Sequence, residues 1–251
     1  MMDMTAYFFV FAIPAVIFAG ISKGGFGSGA AFASSSFLAI ILEPGFALAL
    51  MLPLLMLVDL ASLKPYWGRW NLRDSALLLV GGLPGVMLGT LLYRAVNADA
   101  MRVMIGVISV GFVVWQMSTN LRKNLVDRPP MPEWAGALAG VVAGFTSFVS
   151  HAGGPPAAVY MLGRRMSKTE YQASTVLVFG VLNSAKLIPY GFLGLFTLET
   201  LQLDLILAPF ALIGAWIGVN LHHKMPEKAF FALTYVLLTC TGVKLIWDGL
   251  T

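Results

Sequence analysis

The sequence predicts an all-α polytopic membrane protein built from two inverted-topology repeats, each holding a broken or re-entrant helix hairpin and three spanning helices. Three observations carry that prediction. Of 251 residues, 58% are hydrophobic and only 11% charged, with a mean hydropathy of +0.82; a water-facing domain carries roughly a quarter charged residues. The apolar runs approach the ~20 residues that a spanning helix needs, too long for the alternating strands of a barrel. Two stretches, GISKGGFGSG at 20–29 and GFTSFVSHAGGPP at 144–156, interrupt such runs with glycine, proline, serine and ionisable side chains, one in each half. Those residue types stop helices and free backbone groups. At membrane depth such backbone is tolerated only where it lines a cavity or packs against protein.

Hydropathy divides the chain into apolar segments 5–22, 29–42, 45–63, 75–94, 102–118, 134–150, 154–163, 171–195, 202–221 and 229–247. The first has no basic region and no small-residue cleavage site ahead of it, so it reads as a retained membrane segment. Segments 29–42 and 154–163 are too short to cross as straight helices. Each follows one of the two breaks, as the return arm of a hairpin would. Only 119–133, TNLRKNLVDRPPMPE, has the composition of a loop. It divides a first repeat, 1–118, from a second, 134–251, and is expected to be cytoplasmic.

A near-constant offset relates the halves. Asp59, Pro65 and Tyr66 match Asn183, Pro189 and Tyr190, and Gly20 matches Gly144, all 124 residues apart; Pro84 and Gly89 match Pro209 and Gly214 at 125. Charge placement then sets orientation. Lys64, Arg69 and Arg73, then Arg122, Lys123 and Arg128, then Arg164, Arg165 and Lys168, then Lys224 and Lys228 hold 11 of the 16 basic residues. The positive-inside rule puts all four clusters in the cytoplasm. That solution requires each hairpin to enter and leave on one side, which inverts the second half relative to the first, the plan of many secondary transporters.

The breaks also bring the candidate chemistry. Lys23 precedes Gly24-Gly25, with Gly27 following, and Ser150-His151 precedes Gly153-Gly154-Pro155-Pro156. A helix that starts after such a break aims N–H groups and a partial positive charge into the site, which suits an anion. The bland readings are that Lys23 snorkels to an interface and that the glycines serve close helix packing. Lys186 falls near mid-membrane in the segment 171–195, as substrate contact, structural pair or snorkelling cation. Asp59 stands in the apolar run LPLLMLVDLASL, as a coupling carboxylate or, with Lys64 nearby, as an interface residue. Asn183 and Tyr190 complete the candidate substrate contacts, and Asp59 and His151 the candidate coupling groups, since the imidazole titrates near physiological pH.

Other features read as structure. Gly136, Gly140 and Gly144, and likewise Gly214 and Gly218, have helix-contact spacing; Pro84 and Pro209 read as kinks. Trp67, Trp70, Trp115 and Trp134 suit interface anchoring. His222-His223 reads as a solvated pair in an inner loop. Cys240 excludes an internal disulfide and reads as a buried small residue. No Ser-His-Asp order, Walker loop or zincin motif occurs, so neither an enzyme nor a metal site is expected, and no cofactor is implied.

The run Lys23-Gly-Gly-Phe-Gly27 with Gly29, the later Gly153-Gly154-Pro155-Pro156 and Asn183-Ser-Ala-Lys186 resemble the sulfite exporter TauE/SafE family of permeases, over nearly the whole chain. The resemblance implies a multi-pass transporter in the inner membrane of a bacterium or archaeon. Its cargo would be a small sulfur-containing anion: sulfite, sulfoacetate or a related organosulfonate. Export, with or without proton coupling, is the expected activity; a passive anion channel and a non-transporting accessory protein are the alternatives. The expected partners are the anion, the bilayer and, as a homodimer, a second copy of the chain, with no nucleic acid.

Overall fold

The computed structural model describes residues 6–27, 30–118, 129–222 and 227–251. The structure is helical throughout these residues. Its helices are α1 (Ala6–Ile21), α2 (Phe32–Ile41), α3 (Pro44–Tyr66), α4 (Leu72–Ala95), α5 (Ala98–Ser118), α6 (Trp134–Ser150), α7 (Gly154–Gly163), α8 (Lys168–Phe192), α9 (Leu198–Leu221) and α10 (Glu227–Leu250), with a π-helical turn, Ser22–Phe26, continuing α1. All ten apolar segments are helices. Seven helices among the described residues are long and apolar enough to cross a membrane. Gly29, Arg122, Lys123, Arg128, His223 and Lys224 lie outside the described residues.

Local chemistry sets the helix ends. Glu43, Asn71, Ser167 and Thr197 cap α3, α4, α8 and α9, each side-chain oxygen accepting an N–H of the first turn; each such cap is worth about 1 kcal/mol. Pro44 enters α3 where no N–H is needed. Pro84 and Pro209 stand inside the continuous helices α4 and α9.

The hairpin arms are unequal. Tyr7–Phe26 has 20 residues, ~30 Å at the helical rise and enough to cross. Trp134–Ser150 has 17, ~25 Å. The return arms α2 and α7 have 10 residues each and cover about half the hydrocarbon thickness.

Each hairpin packs on a helix from the other half. The most extensive helix contact is α4 with α6, and α1 lies along α9. Both pairs run parallel, since Gly81, Gly85 and Gly89 meet Ala137, Val141 and Phe148 in ascending order, and Gly20 and Gly25 meet Ala211 and Gly218. A Cβ at Gly25 or Gly144 would overlap the carbonyl oxygen of Gly218 or Gly82 respectively, so the glycine spacing is used for backbone contact. Around these pairs α5 packs on α10, and α3 on α8. Cys240 is exposed, contrary to the expected buried position: it sits on α10's outward face, where the surrounding medium is apolar enough for a thiol. Trp67 and Trp134 are likewise exposed at helix ends.

Candidate functional site

A helix that stops inside the protein leaves carbonyls without partners, and both breaks satisfy theirs with side chains from other helices. At the first, the Lys23 carbonyl accepts from Gln172 Nε2 at 2.7 Å, Gly24 from the Tyr66 hydroxyl at 2.9 Å, and Gly25 from His222 Nδ1 at 2.6 Å. Gly27, at φ 83°, then ends the turn in a conformation that favours glycine. At the second, Ser147 accepts from Lys186 Nζ at 3.0 Å and Phe148 from the Tyr190 hydroxyl at 2.9 Å. The Ser150 carbonyl lies 2.9 Å from Ser35 Oγ. The two tyrosine bonds span the same 42 residues of chain, linking Gly24 to Tyr66 and Phe148 to Tyr190.

His222 is therefore buried, not solvated. Its ring caps the break and meets Tyr66 edge-on, with ring centroids 5.6 Å apart. The orphaned Gly25 carbonyl draws in a donor that a loop position did not reveal.

The ionisable groups form two adjoining clusters. In the first, the Lys23 ammonium donates to the Asp59 carboxylate and, at 3.2 Å, to the Leu55 carbonyl. Asn183 Nδ2 donates to the same Asp59 oxygen at 2.9 Å. Lys23 and Asp59 are each 3% exposed, which removes both the snorkelling and the interface readings. Asp59 and Asn183, the pair matched between the halves, are thus in direct contact.

The second cluster begins one helical turn along α8. Lys186, 0% exposed, donates to Ser147 O and Oγ at 3.0 and 3.1 Å and to His151 Nδ1 at 2.9 Å. His151 holds a left-handed backbone, φ 56°, and its Nε2 donates to Leu48 O at 3.1 Å. With Nε2 donating to the Leu48 carbonyl, a neutral imidazole has Nδ1 free to accept from the Lys186 ammonium. All three ammonium hydrogens of Lys186 are directed to neutral acceptors. With Lys23 offset by Asp59, a protonated Lys186 would leave the buried polar chain with one positive charge in excess.

The glycine and proline candidates serve shape. Gly24 and Gly25 press against α9 at Ala215 and Gly218, and Gly27 against the Tyr171 ring. Gly153 packs on Ala143, Ser147 and Phe179; Gly154 and Pro155 open α7, buried. Ser150 Oγ donates to Thr146 O at 3.1 Å, away from the lysines. The breaks thus present helix C-termini to the cations, the favourable dipole end for an ammonium, where helix N-termini facing an anion were expected. At α7 the first-turn prolines supply no N–H.

Ser147 and Gln172 were not singled out by sequence reasoning, Tyr66 only as a repeat match and His222 only as a solvated loop residue. The repeat offset held a signal for some of them: 124 residues from Lys23 is Ser147, and 124 before Lys186 is Ser62. Each half contributes one lysine at exchanged positions, on the break in the first and on the long helix in the second. A groove of about 310 Å³ between α3 and α8, lined by Leu63, Val176, Gly180 and Ser184 among others, reaches Asp59.

The family model described as sulfite exporter TauE/SafE matches residues 12–245. The chain belongs to the sulfite exporter TauE/SafE family. Its members are membrane permeases for sulfur-containing anions and not enzymes, so this multi-pass protein handles a small anion within the bilayer. No curated protein and no solved structure matches the chain.

Proposed function

We propose that this TauE/SafE protein is a secondary transporter that binds sulfite, sulfoacetate or a related organosulfonate between Lys23 and Lys186, and exports it across a prokaryotic inner membrane. The observation that carries the reading is Lys186. A fully buried ammonium held only by neutral acceptors costs several kcal/mol in a bilayer, and one bound anion offsets it. Asn183, one turn away, offers an amide for a sulfonate oxygen. Tyr190 and His151 keep the second break in shape. The groove between α3 and α8 supports entry of a small solute toward Asp59.

The two halves, 1–118 and 134–251, joined by a cytoplasmic linker at 119–133, act in this proposal as inverted repeats. Support comes from the exchanged hairpin packing of α1 on α9 and α6 on α4, from the matched tyrosine bonds, and from contact between the matched residues Asp59 and Asn183. Alternating access then follows from one bundle, the α1–α9 pair among its helices, moving against the other. The family description supports export, and proton coupling supplies the driving force.

The test is a thermal-shift series on detergent-purified protein with sulfite, sulfoacetate, taurine, sulfate, acetate and chloride. A ligand at 100 times its Kd stabilises by about 2.7 kcal/mol. The expected result is a shift with sulfite or one sulfonate that is lost in Lys186→Met. No shift with any anion, or an equal shift in the variant, would overturn the reading.

A further inference from the structure

Asp204 is a buried ionisable group that takes no part in the polar chain. Asp204 lies on the buried face of α9, seven residues beyond the Thr197 cap, ~10 Å along the axis. It is 7% exposed, and neither carboxyl oxygen has a hydrogen-bond partner. The Thr200 hydroxyl one turn earlier is engaged by the capping box with Thr197.

The elements packed most closely on α9 offer Asp204 no counter-charge. Among the described residues of α1 the one titratable side chain is Tyr7, which is exposed. The π-helical turn supplies Lys23, ~16 Å further along α9 at the level of Ala215 and already paired. At and along α3, Glu43 accepts from Phe46 N, Asp59 holds Lys23, Tyr66 holds Gly24, and Lys64 lies at the far end. On α9 itself Glu199 stands in the first turn and makes no bond to Asp204. A bare carboxylate in such a place costs several kcal/mol, whereas the neutral acid is tolerated.

We propose that Asp204 is the proton-binding residue of the transport cycle, neutral while the α1–α9 pair is closed against α3, and ionised when the end of α9 near Thr197 opens to water. This rests on the transporter reading above. The link to the anion site is mechanical. Backbone contacts of Gly20 with Ala211 and Gly214, and of Gly25 with Gly218, join α1 to α9 as one body, and α1 ends in the turn that carries Lys23. Movement that hydrates Asp204 therefore also moves Lys23. The other candidate proton carriers are held within the site, Asp59 through the Oδ2 that accepts from Lys23 and Asn183, and His151 through both ring nitrogens. One proton moving inward for each monovalent anion moving outward couples the proton gradient to export.

The test has two readouts. Infrared difference spectra across a pH titration compare the wild type with Asp204→Asn, and with Asp204→Glu as the variant that keeps an acid. The expected result is a protonated-carboxyl band in the wild type and in Asp204→Glu that is absent in Asp204→Asn. Absence of that band from the wild type, or its persistence in Asp204→Asn, overturns the proposal. In proteoliposomes, labelled sulfoacetate and sulfite are then followed under a pH gradient and in exchange. Asp204→Asn should lose accumulation driven by the gradient and keep exchange, while Asp204→Glu accumulates. Gradient-driven accumulation unchanged in Asp204→Asn overturns the coupling role. A wild type that shows the acid band but moves neither anion overturns the transporter reading, and the coupling role with it.

Discussion

The Lys23–Asp59 pair gives the sharpest test of the architecture. Both side chains are 4% exposed, and Lys23 has one further partner, the Leu55 carbonyl. Asp59→Leu leaves the ammonium with a single neutral acceptor; Lys23→Met leaves the carboxylate with only the Asn183 amide. Removing one partner of a buried pair costs about 3–5 kcal/mol. For a chain of this length each kcal/mol is worth roughly 2–4 °C, so each single variant should melt about 10 °C below the wild type. Replacing both partners by apolar residues removes the stranded charge and is often near neutral. Here it leaves Asn183 Nδ2 without its acceptor, a residual penalty of about 1–3 kcal/mol. The double variant should therefore be more stable than either single variant, yet inactive in anion transport. Melting of the four proteins in one detergent reads the cycle directly. If the two single losses simply add in the double variant, the groups are not coupled, and the reading of Lys23 as a paired cation falls.

Three further outcomes are expected. Tyr190→Phe removes the bond to the Phe148 carbonyl and should cost about 1–3 kcal/mol through the unsatisfied carbonyl; Tyr66→Phe should cost the same through Gly24. Paired melting curves check whether the two losses match. Gly25→Ala drives a methyl into the Gly218 carbonyl, so it should lower folded yield on size-exclusion chromatography far more than Gly191→Ala, whose added carbon meets nothing within 4 Å. Asp74→Asn weakens the junction in which Tyr160 donates at 2.7 Å and Arg164 Nε at 3.0 Å to one carboxylate oxygen. Because Arg164 also holds the Met131 carbonyl, cysteine labelling near residue 131 should accelerate in that variant.

Much of the helix layout could be read from hydropathy, because spanning segments are long and nearly continuous in their apolar character. The breaks were equally visible, since Gly20–Gly29 and Gly144–Pro156 contain residues that a membrane helix does not otherwise gather. What could not be read was the use to which the freed backbone is put. Gln172, Tyr66 and His222 come from three different helices to cap three successive carbonyls, a convergence that is set by packing and leaves no local pattern. His222 looked like a loop residue because its neighbours in sequence are polar, while its neighbours in space are Tyr66 and Gly25. Asp204 was legible in principle: a carboxylate within the apolar run 202–221 is the same signal that drew attention to Asp59. It passed unnoticed because no glycine break or repeat partner stood beside it.

In the proposed transporter the exchanged lysines would let one site serve both halves. Had each half kept a lysine at its break, two cations would face each other near Asp59 and Asn183, at a like-charge cost. Ser147 in place of the second break lysine, and Lys186 on α8 in place of Ser62, set the two charges on opposite sides of the Asp59–Asn183 contact. Lys23 has a carboxylate partner within the protein and Lys186 has only neutral ones. In the proposed site an anion drawn to Lys186 would meet Asn183 next and the carboxylate of Asp59 behind it. That order favours a singly charged group that can accept from an amide over a dianion that must approach Asp59 more closely. Asp59→Asn, which removes that repulsion and can still accept from Lys23, should therefore raise the affinity for sulfate relative to a monovalent sulfonate. An unchanged ratio would mean that the anion is held on the His151 side of Lys186, out of reach of Asp59.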